Sequence, residues 1–473
     1  MSSAQLVVIG AGPGGYAAAF YAADMGLQVA LVDSDPNPGG VCLYRGCIPS
    51  KALLHVAKVA GEARHASAWG LTYAEPKIDV DTLRAFKDGV VQRMVGGLGQ
   101  LSRQRKILYI QGRASFVDAQ TLSIELNKGG TESLSFQKAI IATGSRPAAV
   151  PALSIDSPRV MDSTAALDLP DIPKSLLVVG GGYIGLELGS VYAALGSKVT
   201  VVEMTGGLLP GADRDLAQLL HRQLEKTLHK ILLNARVAEM KEGKNGVKVR
   251  IEGATLSAAD KDQTFDRVLV AAGRKPNSAV PGLEKTKVKI GDRGFITVDA
   301  SMRTGEPHIY AIGDVVGEPM LAHKASHEAR VAVDGVLGRS AVFEPQAIPA
   351  VVFTDPEVAW CGLTETEARQ QGRKIEVAKF PWAALGRAVA IDRPEGLTKL
   401  IIEPSTERVL GVGIVGSGAG ELIAEGVVAV EMAALASDLS LSIHAHPTLS
   451  ETLMEAAEVF YGHSTHVHKP KRK

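Results

Sequence analysis

The chain has 473 residues, enough for about three domains, because a single core rarely grows beyond about 250 residues. Lys plus Arg and Asp plus Glu balance at 51 each, which argues against a nucleic-acid or other polyanion partner, and no apolar run approaches the ~20 residues of a membrane span. Three cysteines make no secreted disulfide framework, and no basic stretch or long apolar segment marks a signal peptide, so a cytoplasmic protein without a membrane anchor is expected.

Residues 6–9 are a short β-rich apolar run that leads directly into Gly10-Ala11-Gly12-Pro13-Gly14-Gly15. The small residues of 17–25 predict a helix closed by Gly26, and 28–32 predict a second strand ending at Asp33. Strand, tight turn, helix and strand make a dinucleotide-binding unit. Gly10 permits the sharp turn. Gly12 lets backbone amides approach a pyrophosphate at the positive end of the helix, and Gly15 lets helix and strand pack closely. Asp33 is placed to accept hydrogen bonds from a ribose.

Two of the three cysteines, Cys42 and Cys47, follow in the run 39–51. In a regular helix two residues at this spacing lie roughly 8 to 9 Å apart at Cα and point in different directions. A disulfide needs less than about 7 Å, so the pair bridges only if the backbone bends, and Gly46 and Pro49 allow or force a bend. A strained, reducible pair beside a nucleotide fingerprint points to redox chemistry.

The apolar strand at 138–142 breaks at Gly144 and Pro147, where the chain leaves the first unit. A second unit then begins. Residues 176–179 lead into Gly180-Gly181-Gly182-Tyr183-Ile184-Gly185, followed by a helix to Leu195 and a strand at 198–202 ending at Glu203. First glycine and acidic residue are 23 positions apart in both units (Gly10 to Asp33, Gly180 to Glu203). Gly180, Gly182 and Gly185 repeat the roles of the first set. Residues 267–277, with Gly273, repeat the exit signal, and 308–314 form a third strand ending at Asp314, which can hold the polyol chain of a flavin. Two nucleotide sites and a dithiol imply electrons passing between a nicotinamide dinucleotide and a thiol substrate. FAD suits the site beside the cysteines, since a flavin accepts two electrons from a thiolate and passes on a hydride. Glu203 favours NAD over NADP, because a carboxylate repels the extra phosphate and no basic residue follows until Arg214.

Cys361 stands in an apolar run and reads as a core residue. Near the C-terminus, His444 and His446 both suit a base that makes a thiolate near neutral pH. Glu451 can orient such a histidine, or it can cap a helix at 449–460 through the capping box Thr448-Leu449-Ser450-Glu451; the pattern leaves both choices open. The basic tail 466–473 is expected to be disordered.

With these residues assembled, the chain resembles the dihydrolipoamide dehydrogenases of the class I pyridine nucleotide-disulfide oxidoreductase family. The resemblance runs end to end and rests on 39–51, both fingerprints, 311–314, 320–324 and 444–451. It implies an α/β fold with two Rossmann-like domains and a C-terminal α+β dimerisation domain. FAD would occupy 1–147 with 276–346, NAD 148–275, and residues 347–473 would form the interface. FAD would rest on Asp33, Lys51, Ala114, Asp314 and Ala322, and NAD on Gly180, Gly182, Gly185 and Glu203. Cys47 would be the thiolate beside the flavin and Cys42 the thiol that exchanges with substrate. Lys51 and Glu187 would pair near the flavin ring. His446 becomes the base and Glu451 its orienting partner. The resemblance also implies a homodimer whose base serves the cysteines of the other subunit, and lipoyl domains and an acyltransferase core of 2-oxoacid dehydrogenase complexes as partners. No metal is implied. Tyr44 and Arg45 depart from the common Asn-Val and are expected to alter redox potential or substrate approach. Tyr183 stands where glutathione reductases carry a tyrosine, which keeps a reductase of another disulfide as the alternative. Ser50 and Glu203 argue against that alternative. Mercuric reductases share this core but add a C-terminal cysteine pair, and no cysteine follows Cys361.

Overall fold

The computed structural model describes residues 2–468; the last five positions of the basic tail lie outside the described residues. The first strand, β1 (Ser2–Ile9), enters helix α1 (Pro13–Asp24) through the glycine turn, and β2 (Val29–Asp33) follows. The helix begins at Pro13, four residues before the expected start, because a proline at the first helical position gives up no needed N–H and has a helical φ built in. Two helices then abut, α2 (Gly40–Arg45) and α3 (Cys47–His65), with only Gly46 between them. After the long helix α4 (Val80–Gln104) come β3 (Leu108–Asp118), β4 (Thr121–Leu126) and β5 (Thr131–Ile141).

In this first unit β3, β2, β1, β5 and the strand Ile309–Ala311 lie side by side in parallel, and the far halves of β3 and β5 pair antiparallel with β4. Strand Ile309–Ala311 therefore returns to the N-terminal sheet from far along the chain. The second unit is a parallel sheet in the order Lys230–Leu232, Lys198–Val202, Ser175–Val179, Arg267–Val270, Val160–Met161, flanked by an antiparallel three-stranded sheet. The central strands of both sheets carry buried apolar runs, such as 6–9, 139–141 and 176–179, as expected of parallel strands covered on both faces. Short strands Ser145–Pro147 and Arg274–Pro276 pair antiparallel where the chain leaves and re-enters the first unit.

The C-terminal segment is a five-stranded antiparallel sheet covered by helices Ala419–Glu431 and Glu451–Tyr461. Its core includes Cys361, at 1% exposure, so that residue is a packed apolar side chain, its thiol pushed up to about 12 by burial. The last helix begins two residues later than expected, at Glu451. Part of the tail expected to be disordered is anchored: His466 Nδ1 lies 2.5 Å from Oε1 of the buried Glu455, and Ser464 donates to the other oxygen. Among the described residues no helix is long and apolar enough to cross a membrane.

Candidate active site

A cavity of about 360 Å³ runs from the first glycine turn to the cysteines. Its walls include Gly12, Asp33, Cys42, Cys47, Lys51 and Asp314. The two glycine turns are built alike. A Cβ on Gly10 would sit 2.3 Å from the Ala142 carbonyl oxygen, and one on Gly180 would sit 2.6 Å from that of Ala271. A Cβ on Gly15 would fall 1.8 Å from the Gly10 oxygen, and one on Gly185 2.2 Å from the Gly180 oxygen. Gly12 and Gly182 differ: a Cβ on either meets nothing within 4 Å, so each turn opens onto free space. Neither helix that follows has a side-chain cap at its N-terminus, so the first amides stay available to an anion.

The acidic residues close the same pattern. Asp33 accepts from the amides of Ala11 at 2.6 Å and Asp35 at 2.9 Å, and Glu203 accepts from those of Gly181 and Thr205, both at 2.7 Å. Burial pushes the Asp33 carboxyl up, and these amide donors oppose it. Two basic side chains near Glu203 are already engaged. Arg214 donates to the carbonyls of Leu209 and Ala212, and Arg236 pairs with Glu252 at 2.7 Å. Gly144 and Gly273, at φ +67° and +103°, make the two exit turns. Gly144 lines the cavity with Ala322, whereas Ala114 lies on β3 outside its lining. Asp314 accepts from Ser145 Oγ at 2.5 Å, and Ser145 Oγ in turn accepts from Arg274. A flavin dinucleotide fits this set: an open amide turn for pyrophosphate, a carboxylate for ribose, a second for the polyol, and thiols at the far end.

The bend required between the cysteines is present. Gly46 has φ −149° and ψ −112°, which ends α2 and starts α3, and a Cβ there would lie 2.9 Å from the Val41 carbonyl oxygen. Both thiols line the cavity. Interaction with Cys42 holds Cys47 down to about 7, against the opposing effect of burial and with help from the Lys51 ammonium, while Cys42 is pushed up. Cys47 is exposed by area, but the surface it exposes faces the cavity.

Lys51 Nζ lies 2.8 Å from Glu187 Oε2, so the expected pair is made, and Glu187 is 3% exposed. Sequence reasoning missed the third member. The Phe353 amide donates to Glu187 Oε1 at 3.0 Å, and Lys51 Nζ stands 4.5 Å from the centre of the Phe353 ring. No local pattern marks Phe353, because its partners are more than 150 residues away. Tyr183, the first residue of helix Tyr183–Ala194, lines the same cavity and is pushed up to about 12, chiefly by burial.

The structure separates the two histidines. Both ring nitrogens of His444 are taken, Nε2 by Glu425 at 2.8 Å and Nδ1 by the Ser442 carbonyl. His446 Nδ1 lies 2.9 Å from Glu451 Oε1; its Nε2 has no partner among the described residues, and its side chain is 74% exposed. Glu451 serves in both ways the sequence left open. Its Oε1 orients His446, while its Oε2 accepts from the Thr448 amide at 2.8 Å, one half of a capping box. The other half is missing, since the Thr448 hydroxyl donates to the Ala445 carbonyl. His446 and Glu451 do not line the cavity that holds the cysteines.

Residues 4–329 match the pyridine nucleotide-disulphide oxidoreductase family, and 348–457 match the dimerisation domain of that family. The dihydrolipoyl dehydrogenase of Haemophilus influenzae is 49% identical over 469 residues, covering 99% of this chain and 97% of that protein. That of Vibrio cholerae is 46% identical over 470 residues, with 99% and 98% covered. Among solved structures, LpdA from Mycobacterium tuberculosis aligns with a TM-score of 0.89 at 27% identity, covering 97% of this chain and all of that one. The HOCl-induced flavoprotein disulfide reductase RclA from Escherichia coli aligns at 0.84 and 30% identity, with 95% and 98% covered. With two nucleotide turns, a bent dithiol and relatives matched over nearly their whole length, the chain belongs to the pyridine nucleotide-disulphide oxidoreductases, FAD- and NAD-dependent enzymes, and within them to the dihydrolipoyl dehydrogenases.

Proposed function

We propose that Cys42 and Cys47 are the redox pair through which this chain oxidises protein-bound dihydrolipoamide to lipoamide with NAD, as a cytoplasmic component of 2-oxoacid dehydrogenase complexes. The observation that carries this reading is the bend at Gly46, which sets both thiols in the wall of the nucleotide cavity beside the Lys51–Glu187 pair, where Cys47 is acidified and Cys42 is pushed up. In the oxidised enzyme, a substrate thiolate attacks Cys42 Sγ, breaking the Cys42–Cys47 bond and releasing Cys47 as thiolate. The second substrate thiolate then attacks the sulfur joined to Cys42, closing the lipoamide ring and freeing the Cys42 thiol. His446 accepts a substrate proton at Nε2, with Nδ1 held by Glu451, so it stays in the tautomer that can accept one. FAD held in the cavity lined by Asp33, Cys47, Lys51 and Asp314 would supply the acceptor for the thiols' electron pair and the hydride for NAD. One proton is released as the disulfide re-forms.

Lys51 and Glu187 hold a fixed charge pair beside Cys47, and Asp33, Gly144, Asp314 and Ala322 line the flavin cavity. Gly180, Gly182, Gly185, Glu203 and Gly273 hold NAD. The FAD unit spans 1–147 and 276–346, the NAD unit 148–275 and the interface unit 347–473. Because His446 does not line the cavity of its own chain, the base at each dithiol is His446 of the partner subunit. Exposed Leu441 and Ile443, at 81% and 100%, belong to the surface that a second copy would cover.

An anaerobic titration with dihydrolipoamide, followed by NAD, tests this. The flavoprotein is expected to gain the long-wavelength absorbance that a thiolate gives against an oxidised flavin, and then to form NADH. Cys47→Ser is expected to keep FAD and lose both signals; reduction by NADPH alone would overturn the reading.

A further inference from the structure

We propose that Arg45 is a cofactor-positioning residue: its guanidinium offsets Asp35 and clasps the dithiol helix to the loop behind Asp33, so that the nucleotide end of the cavity accepts a dianionic pyrophosphate. The inference rests on the reading of this cavity as the FAD site. Arg45 Nη1 and Nη2 donate to Asp35 Oδ1 and Oδ2 at 2.9 and 2.7 Å, a two-pronged ion pair in which Asp35 is only 13% exposed. Such paired bonds fix direction as well as charge. Both residues line the cavity together with Asp33, Ser34 and Gly12.

The neighbouring residue completes the clasp. Tyr44 Oη donates to the Asn37 carbonyl and accepts from its amide, both at 3.2 Å, and Tyr109 Oη donates to the Asp35 carbonyl at 2.8 Å. The loop that leaves β2 is thus held on one side by α2 and on the other by β3. Tyr44 and Arg45 stand between the cysteines in the sequence, and the hydrogen-bond partners of their side chains are Asn37 and Asp35, on the loop after β2. The acidity of Cys42 and Cys47 is set by each other, by burial, and by Lys51 and Glu187. The Arg45 guanidinium is instead held protonated by Asp35 and Asp33.

The electrostatic argument gives a sign. Two carboxylates on one short loop face a site meant for two phosphate charges. Asp33 is needed for ribose; Asp35 is tolerable only while a cation neutralises it, because a partly buried, unpaired charge repels an anionic ligand at close range. Removing Arg45 is therefore expected to weaken FAD binding, and removing the Asp35 charge as well is expected to restore it.

The test uses the full-length enzyme, stripped of flavin and reconstituted, with FAD affinity read by flavin fluorescence. Arg45→Val is expected to bind FAD about tenfold or more weakly, and Arg45→Val with Asp35→Asn to recover most of that loss. The pH midpoint of the Cys47 thiolate, read from long-wavelength absorbance, is expected to stay where it is in the unmodified enzyme. Unchanged FAD affinity in Arg45→Val, failure of the double variant to recover, or a moved thiolate midpoint would each overturn the proposal. If Arg45→Val does not fold, Arg45→Lys, which keeps the charge and loses the fork, should show an intermediate loss that Asp35→Asn again relieves. If the unmodified chain carries no flavin, the reading of the cavity fails instead, which is a separate outcome.

Discussion

A thiol acidified toward neutrality changes charge near neutral pH, and Cys47 is brought there by two named neighbours. Cys42 is the first, and Lys51 adds a positive field, while burial opposes both. The sign is fixed: each neighbour favours the charged form and so lowers the pKa. In the reduced enzyme the Cys47 thiolate should therefore form at lower pH than an ordinary cysteine thiolate and be lost as the pH falls. Lys51→Met removes the ammonium and leaves Glu187 uncompensated, so the midpoint of the thiolate absorbance should rise above 7 in a pH titration of the reduced flavoprotein. A midpoint that stayed in place would assign the shift to Cys42 alone. Phe353 belongs to the same assembly, since its amide and ring hold Glu187 and Lys51 from the C-terminal segment.

At the scale of elements, the glycine turns divide into positions that serve the fold and positions that serve the ligand. Gly15→Ala puts a methyl group 1.8 Å from the Gly10 carbonyl oxygen, which nothing nearby can yield, so it should destabilise the protein itself by several kcal/mol. Gly12→Ala meets nothing within 4 Å and should leave the melting temperature of the flavin-free protein nearly unchanged, while FAD affinity falls. Thermal melts and flavin fluorescence on the two variants separate these outcomes; equal loss of stability in both would contradict the division. This contrast also explains what could be read in the chain. The turns were legible because backbone sterics act over a few residues, so Gly10, Gly12 and Gly15 and their later copies announce their roles locally. The bend at Gly46 was legible for the same reason. The start of α1 at Pro13 was misplaced because small residues set the helix pattern, whereas a proline sets the boundary. His444 and His446 were indistinguishable in sequence; what separates them is Glu425, a carboxylate on helix Ala419–Glu431 that takes Nε2 of His444 alone. Arg45 with Asp35, Phe353 with Glu187 and His466 with Glu455 are side-chain meetings made by the tertiary fold, and no periodicity encodes them.

At the scale of the whole molecule, separate units must be held in register for electrons to pass. Lys399, at 1% exposure, anchors one junction: its ammonium lies 2.7 to 2.8 Å from Asp213, Asp215 and Glu365, joining the second nucleotide unit to the C-terminal sheet. Lys51, Glu187 and Phe353 join all three units at the redox centre itself. One part of the chemistry is still missing from this rigid frame, because the His446–Glu451 pair does not line the cavity that holds the cysteines. On the reading proposed above, a twofold dimer supplies it, since an isologous interface brings the same residue of each copy to the other's site. Hybrid dimers make that arrangement testable. Cys47→Ser and His446→Gln should each be nearly inactive as homodimers. Co-expressed with different tags, they form hybrids in which one dithiol is intact and faces an intact histidine, while the other site lacks both. If the base acts across the interface, each hybrid has one working site, and a statistical mixture recovers roughly a quarter of the unmodified turnover. If the base acts within its own chain, no site in any hybrid has both groups, and the mixture stays as inactive as its parents.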